Sequence, residues 1–214
     1  MKKLLTSIIL SLFVFFQPAI AEEENNGLIG GKIAPFEIKH NDGTTYLIER
    51  GKDTTRKTNP IYHKTTRGSI MPMNPFGEHH IETIGELELI TYLKESITNK
   101  NILVIDSRTN KWLKKTGTIP GSHNIPWTLF KKGKNIDDII ANVEEFFGPS
   151  YNGSTLDFQT AKTLIFFCNG PWCGQSPSSI NAILRLGYPA YKIKYYRGGM
   201  QTWDSLGLTT ARVR

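Results

Sequence analysis

Cysteine is scarce in this chain, with two among 214 residues, Cys168 and Cys173, both in one short segment. That arrangement excludes a disulfide framework of the kind that staples small exported domains. Long hydrophobic runs are lacking too. The apolar stretch Leu4 to Phe16 is too short for a comfortable transmembrane helix. Internal repeats and low-complexity tracts are absent, which excludes solenoids and biased linkers. Acidic residues number 19 against 26 Lys and Arg, a formal net charge of +7. The basic residues, such as Lys111, Lys114 and Lys115, are scattered and lack interleaved aromatics. This excludes a nucleic-acid platform and fits a cationic surface that attracts small anions. His79 and His80 are adjacent, their side chains diverge, and no third ligand stands at a recognisable spacing, so no metal site is expected.

The beginning of the chain carries targeting information. Met1-Lys2-Lys3 precedes the apolar run, and Ala19-Ile20-Ala21 offers a small-x-small cleavage site. Residues 1–21 therefore read as a secretory signal peptide, leaving a periplasmic or secreted protein with no membrane anchor after cleavage. A hydrophobic fraction of 39% and a charged fraction of 21% describe an ordinary globular protein. The length fits one substantial domain, expected over 83–210, behind an N-terminal extension, 22–82. Asn152-Gly153-Ser154 is a glycosylation sequon that matters only in a host that modifies such sites.

Residues 22–31 are polar and acidic and read as a flexible lead-in. Ile33 to Lys39 and Thr45 to Arg50 flank His40-Asn41-Asp42-Gly43, which predicts a β-hairpin. Gly51 to Gly77 has little apolar content and is expected to wrap over the main domain. Thr83 with Glu86 three residues on reads as a capping box opening a helix with Leu87, Ile90 and Leu93 on its apolar face. Ile102 to Ile105 is a buried strand, and Ile136 to Phe147 a helix started by Asn135 and stopped by Gly148-Pro149. Lys192 to Tyr196 and Met200 to Leu206 supply a last strand and a terminal helix. Alternation of short apolar strands with helices predicts an α/β fold, a mostly parallel sheet with helices on both faces.

Thr163 to Ser176 is the stretch around which the chain is organised. Leu164, Ile165, Phe166 and Phe167 form a strand buried on both faces, ending at Cys168. Asn169-Gly170-Pro171-Trp172-Cys173-Gly174 can form only a loop. Ser176 as N-cap and Pro177 as first helical residue then start a helix. A helix start aims unpaired N–H groups and a positive dipole end at the loop, which lowers a thiol pKa. Cys168 is thus a candidate nucleophile, against the plainer reading of a buried cysteine ending a core strand. Asp106 and Arg108, at the carboxyl end of a buried strand, either line a site or simply pair with each other. Arg197, before Gly198-Gly199, either contributes positive potential near the loop or is a solvated surface cation. Trp172 either shapes the mouth of the loop or contacts a ligand or partner, whereas Trp203 reads as a core anchor.

Four segments together resemble the rhodanese-like sulfurtransferases. They are ILVIDSR at 102–108, GTIPGSHNIP at 117–126, Cys168 with its loop, and LGYPAYKIKYYRGGMQTW at 186–203. The resemblance implies a parallel-sheet α/β domain whose loop cysteine accepts sulfane sulfur as a persulfide and passes it to a thiol or to cyanide. On that carry-over Cys168 is the nucleophile and the N–H groups from Asn169 to Gly174 cradle the anionic donor. The site expected from the residues and the resemblance joins Cys168 and Cys173 as catalytic residues with Asn169, Gly170, Trp172, Gly174, Asp106, Arg108 and Arg197 as substrate-binding ones. No cofactor or metal is expected. Partners are a small sulfur-containing anion, a thiol acceptor and a protein that takes sulfur or supplies electrons. The loop departs from the family in being longer, in lacking a basic residue near its end and in holding Trp172 and the second cysteine. Three other readings stand beside sulfur transfer: a thiol-disulfide protein cycling Cys168 and Cys173, a non-catalytic binding module, and a phosphatase, which needs a loop arginine that Cys173 to Gln175 does not offer.

Overall fold

The computed structural model describes residues 28–30 and 33–212. The expected signal peptide lies outside them. The chain opens with an antiparallel hairpin, β1 (Phe36–Lys39) and β2 (Thr45–Ile48), in the region the Asp-Gly turn marks. A long connection with one 3-10 turn, Pro60–Tyr62, leads to β3 (Glu82–Ile84) and α1 (Glu86–Ser96). Then come β4 (Ile102–Asp106), α2 (Asn110–Thr116), β5 (His123–Asn124) and α3 (Ile136–Phe147). A short hairpin, β6 (Ser150–Tyr151) and β7 (Leu156–Asp157), precedes β8 (Thr163–Phe167) and α4 (Gln175–Arg185). The chain closes with β9 (Ile193–Tyr196) and α5 (Gly199–Ser205).

Five strands form one parallel sheet in the order β3-β9-β8-β4-β5. Side-chain alternation divides its residues between two cores. Leu103, Ile105, Leu164, Phe166, Ile193 and Tyr195 face α3 and α4 through Val143, Phe147, Ile180 and Ile183. Val104, Ile165, Phe167 and Tyr196 face α1 and α5 through Leu89, Leu93, Met200 and Trp203. Both faces are covered, so the central strands carry unbroken apolar runs in place of an alternating pattern. The architecture is the α/β arrangement the sequence predicts.

The N-terminal region is part of both cores. Ile38, Ile48 and Tyr62 pack into the α1/α5 layer, while Phe76 and Ile81 pack into the α3/α4 layer. Ile29, expected in a flexible lead-in, is buried and exchanges backbone hydrogen bonds with Ile33. The segment expected only to wrap the domain is thus pinned to it by buried side chains.

Helix α3 follows its sequence signals. Asn135 accepts from the Asp137 N–H at 3.0 Å, Asp137 and Asp138 sit in the first turn, and Gly148 stops the helix at φ +96°. Two expected starts are corrected. Thr83 lies in strand β3, and the capping residues of α1 are Gly85 and Glu88, whose carboxylate accepts from the Gly85 N–H at 3.0 Å. Helix α4 starts at Gln175 behind Gly174, because the Ser176 hydroxyl is drawn inward to the Ser107 hydroxyl at 3.2 Å.

Candidate functional site: the cysteine loop

Strand β8 is the middle strand of the sheet, and its residues from Leu164 to Phe167 have no exposed surface. It delivers Cys168 to the carboxyl edge of the sheet, where the chain must leave through a loop. Pro171 sets a tight turn in which the Cys173 N–H donates to the Gly170 carbonyl at 2.9 Å. The turn folds the loop back on itself. Cys168 and Cys173 meet as a disulfide, with Cα atoms 6.3 Å apart, and both are buried. Cys168 Sγ lies 3.2 Å from the Cys173 carbonyl oxygen, an acceptor the reduced thiol could use.

Helix α5 holds the first half of the loop from behind. Met200 N–H donates to the Cys168 carbonyl at 2.9 Å, and Gln201 N–H to that of Asn169 at 2.8 Å. The Gln201 side chain accepts from Trp172 Nε1 at 2.7 Å. A Cβ on Gly170 would come within 2.8 Å of Gln201 Oε1, so a larger residue there would displace the Gln201 side chain from Trp172.

With those carbonyls engaged, the amides are left over. Among the described residues, no acceptor stands opposite the N–H groups of Trp172, Gly174, Gln175 and Ser176, the last two opening helix α4. Such a run of N–H groups at a helix start binds anions, and it favours a thiolate nearby. The Asn169 and Gln175 side-chain oxygens are also buried without a donor among the described residues.

Asp106 and Arg108 are at the end of the neighbouring strand, but their side chains serve each other. Both are fully buried, and the guanidinium bonds the Asp106 carboxylate through Nε at 2.8 Å and Nη2 at 2.6 Å. Arg108 also reaches Thr116 Oγ1 and the Gly117 carbonyl, both at 2.7 Å, while Thr118 donates to Asp106 at 2.6 Å. Burial alone would lower the Arg108 pKa, but the charge and hydrogen bonds of Asp106, with a smaller contribution from Tyr62, together outweigh it and hold the pKa above the ordinary value. The two side chains are thus engaged with each other and with Thr116, Gly117 and Thr118, and this network fixes the end of the strand. Ser107 between them does reach the site, through Ser176.

Arg197 is likewise engaged. Its Nε and Nη2 donate to the Met71 carbonyl at 3.1 and 2.6 Å, while the Met71 N–H donates to the Pro171 carbonyl at 2.9 Å. One residue of the N-terminal region, Met71, thus bridges the cysteine loop to the turn before α5. Asn169, Gly170, Trp172 and Gly174 are all in the loop itself. Arg67, Met71, Trp112 and Gln201 join them, none of which the sequence reading connects to Cys168. Arg67 stacks near both Trp172 and Trp112, its guanidinium carbon 5.4 and 5.7 Å from their ring centres. Three clefts of about 600, 420 and 1060 Å³ open beside the hairpin and the Lys114–Gly117 segment, and none is lined by a residue of the cysteine loop.

The sequence profile of the rhodanese-like domain matches residues 89–206, more than half of the chain. The chain belongs to the rhodanese-like family. The matched segment runs from α1 to the end of α5 and leaves the hairpin and the Met71 bridge outside. Solved structures similar to this rhodanese-like chain include the single-domain sulfurtransferase RDL2 of Saccharomyces cerevisiae, at 18% identity over 62% of this chain and 95% of that one, with a TM-score of 0.42. The 3-mercaptopyruvate sulfotransferase SseA of Escherichia coli is 22% identical over 55% of this chain and 42% of its own, with a TM-score of 0.40. A Rhodopseudomonas palustris protein of unknown function, described as a possible tyrosine phosphatase, is 20% identical over 61% and 84%, with a TM-score of 0.41. No curated protein matches the sequence. Among the described residues, no helix is long and apolar enough to cross a membrane.

Proposed function

We propose that this rhodanese-like protein is an extracytoplasmic sulfurtransferase that carries sulfane sulfur on Cys168. The observation that bears most weight is the junction of Cys168 with a loop in which the N–H groups of Trp172, Gly174, Gln175 and Ser176 lack acceptors among the described residues. A thiolate needs that environment twice, once to ionise and once to receive an anionic donor. The Cys168–Cys173 bond must first be opened by an external dithiol, which becomes oxidised in turn. The Cys168 thiolate then attacks the sulfane sulfur of a donor such as thiosulfate. A new S–S bond forms on Cys168, the donor's S–S bond breaks, and sulfite leaves with the electron pair. Cyanide attacking the outer sulfur releases thiocyanate and returns the thiolate. Cys173 gives a second exit: its thiol attacks Cys168, the disulfide re-forms, and hydrosulfide departs.

A second reading, favoured by the disulfide itself, is a thiol-disulfide protein in which the pair accepts and returns two electrons without carrying sulfur. Peptide mass spectrometry on reduced protein exposed to thiosulfate or polysulfide separates the two. Sulfur transfer requires one added sulfur atom on the Cys168 peptide, lost in Cys168→Ser and longer-lived in Cys173→Ser. Disulfide formation with no added sulfur from either donor would favour the redox reading.

A further inference from the structure

The cysteine loop carries no charge of its own: from Cys168 through Ser179 there is no acidic or basic residue. A sulfane donor such as thiosulfate is a dianion, and neutral N–H groups alone hold a dianion weakly against its hydration. A cation has to come from elsewhere in the fold. Arg197 stands nearby, but its Nε and Nη2 hold the Met71 carbonyl.

Arg67 meets the need. Its guanidinium carbon is 5.4 Å from the Trp172 ring centre and 5.7 Å from that of Trp112, with the two rings 6.2 Å apart and tilted by 54°. Aromatic faces hold a guanidinium through its π surface and leave its N–H edges open. No carboxylate pairs with it among the described residues, and its Nε is buried without a hydrogen-bond partner. A buried, desolvated donor of this kind is costly to leave unfilled, and an incoming anion satisfies it. The segment is also fixed in register with the loop. Gly68 approaches so closely that a Cβ there would be 2.6 Å from the Trp172 carbonyl oxygen, and Met71 bonds Pro171 at 2.9 Å.

We propose that Arg67, contributed by the N-terminal extension, is the cation that binds the anionic sulfur donor at the Cys168 loop. The assignment rests on the sulfur-transfer reading and deepens it. Recognition is divided between two parts of the chain: the loop contributes N–H groups and the thiolate, and the extension contributes the charge. The ligand class is a small oxyanion with a terminal sulfur, which the guanidinium edge can meet with two parallel N–H donors.

The test uses the mature protein with Cys168 and Cys173 both replaced by Ser, so that thiosulfate binds without reacting. Titration calorimetry and tryptophan emission, to which Trp172 and Trp112 contribute with Trp127 and Trp203, give the affinity in this parent and with Arg67→Gln or Arg67→Lys added. The Gln variant should bind thiosulfate about tenfold more weakly, with Lys between the two. Added NaCl should weaken binding in the parent more steeply than in the Gln variant, a difference that a purely structural role would not produce. Equal affinity in Arg67→Gln, with the melting temperature unchanged, overturns the assignment and leaves sulfur transfer standing. If the parent binds no thiosulfate while the wild type takes sulfur from polysulfide, the donor is not this anion and Arg67 loses its role. If the wild type takes sulfur from neither, both proposals fall.

Discussion

Gly199 lies against Cys168 so closely that a Cβ at position 199 would come within 2.5 Å of the Cys168 carbonyl oxygen and 2.7 Å of the Gly170 N. Its φ of +58° is in the left-handed region. Both facts concern backbone, which cannot move aside as a flexible side chain can. Gly199→Ala should lower stability by about 2 kcal/mol or more and slow sulfur loading of Cys168, because Met200 and Gln201 hold the Cys168 and Asn169 carbonyls from the same turn. Urea unfolding measures the first effect; an unchanged midpoint would show that the loop yields.

The Asp106–Arg108 pair leads to a prediction about single and double changes. Asp106→Ala leaves a buried guanidinium facing no charge and should cost about 3–5 kcal/mol. Replacing both residues with apolar ones of similar volume should cost clearly less than either single change. A double-mutant cycle by chemical denaturation decides, and simple additivity would mean the two do not act as a pair.

His40 makes stability depend on pH. Its Nδ1 accepts from the Gly121 N–H at 3.2 Å, which ties the hairpin to the segment before β5. Burial lowers its pKa below the ordinary 6.5, with the Asp42 and Asp106 charges opposing. His123 is lowered too, first by burial and then by His40, Lys162 and Lys100. The unfolded chain therefore binds protons more readily. The stability that neutral His40 contributes is complete above pH 6.5 and is lost as pH falls through the folded value beneath it. The urea midpoint should fall between about pH 7 and pH 5, and His40→Gln should flatten that fall. A parallel decline in the variant would assign the loss to other groups.

Arg197 should act on the loop through Met71. Arg197→Ala removes two hydrogen bonds to one carbonyl and should speed hydrogen exchange at the Met71 and Cys173 amides well before global unfolding. Unaltered exchange at both would mean the bridge carries no load.

How far the sequence reaches depends on whether a signal is local. The α3 boundaries were legible because Asn135 and Gly148 act on their own helix, and β8 because an unbroken apolar run suits a doubly covered strand. Strand β3 was hidden by an imitation: Thr83 and Glu86 have capping-box spacing, but parallel pairing with β9 claims residues 82–84. Helix α2 has few apolar residues, so periodicity left it unmarked. Ser176 looks like a cap until Ser107, 69 positions away, draws its hydroxyl inward. For the site, Cys168 and its loop were legible from the strand-loop-helix order. The role of Asp106 and Arg108 stayed open because two readings share one motif, and their burial and mutual pairing depend on elements far along the chain. Arg67 gave no signal, since its meaning comes from two tryptophans far along the chain.

The burial of Phe76 and Ile81 gives the fold a boundary of its own. The family segment starts at residue 89, within α1, and strand β3 lies before it. A fragment cut there would lose the outer strand beside β9 and the Phe76 ring that meets Tyr195 edge-on at 5.4 Å. It would show the unpaired backbone edge of β9 to any neighbouring copy, a template for sticking together. A piece of this chain cut to stay soluble alone should therefore begin upstream of residue 89, early enough to keep β3 and the segment that touches the cysteine loop.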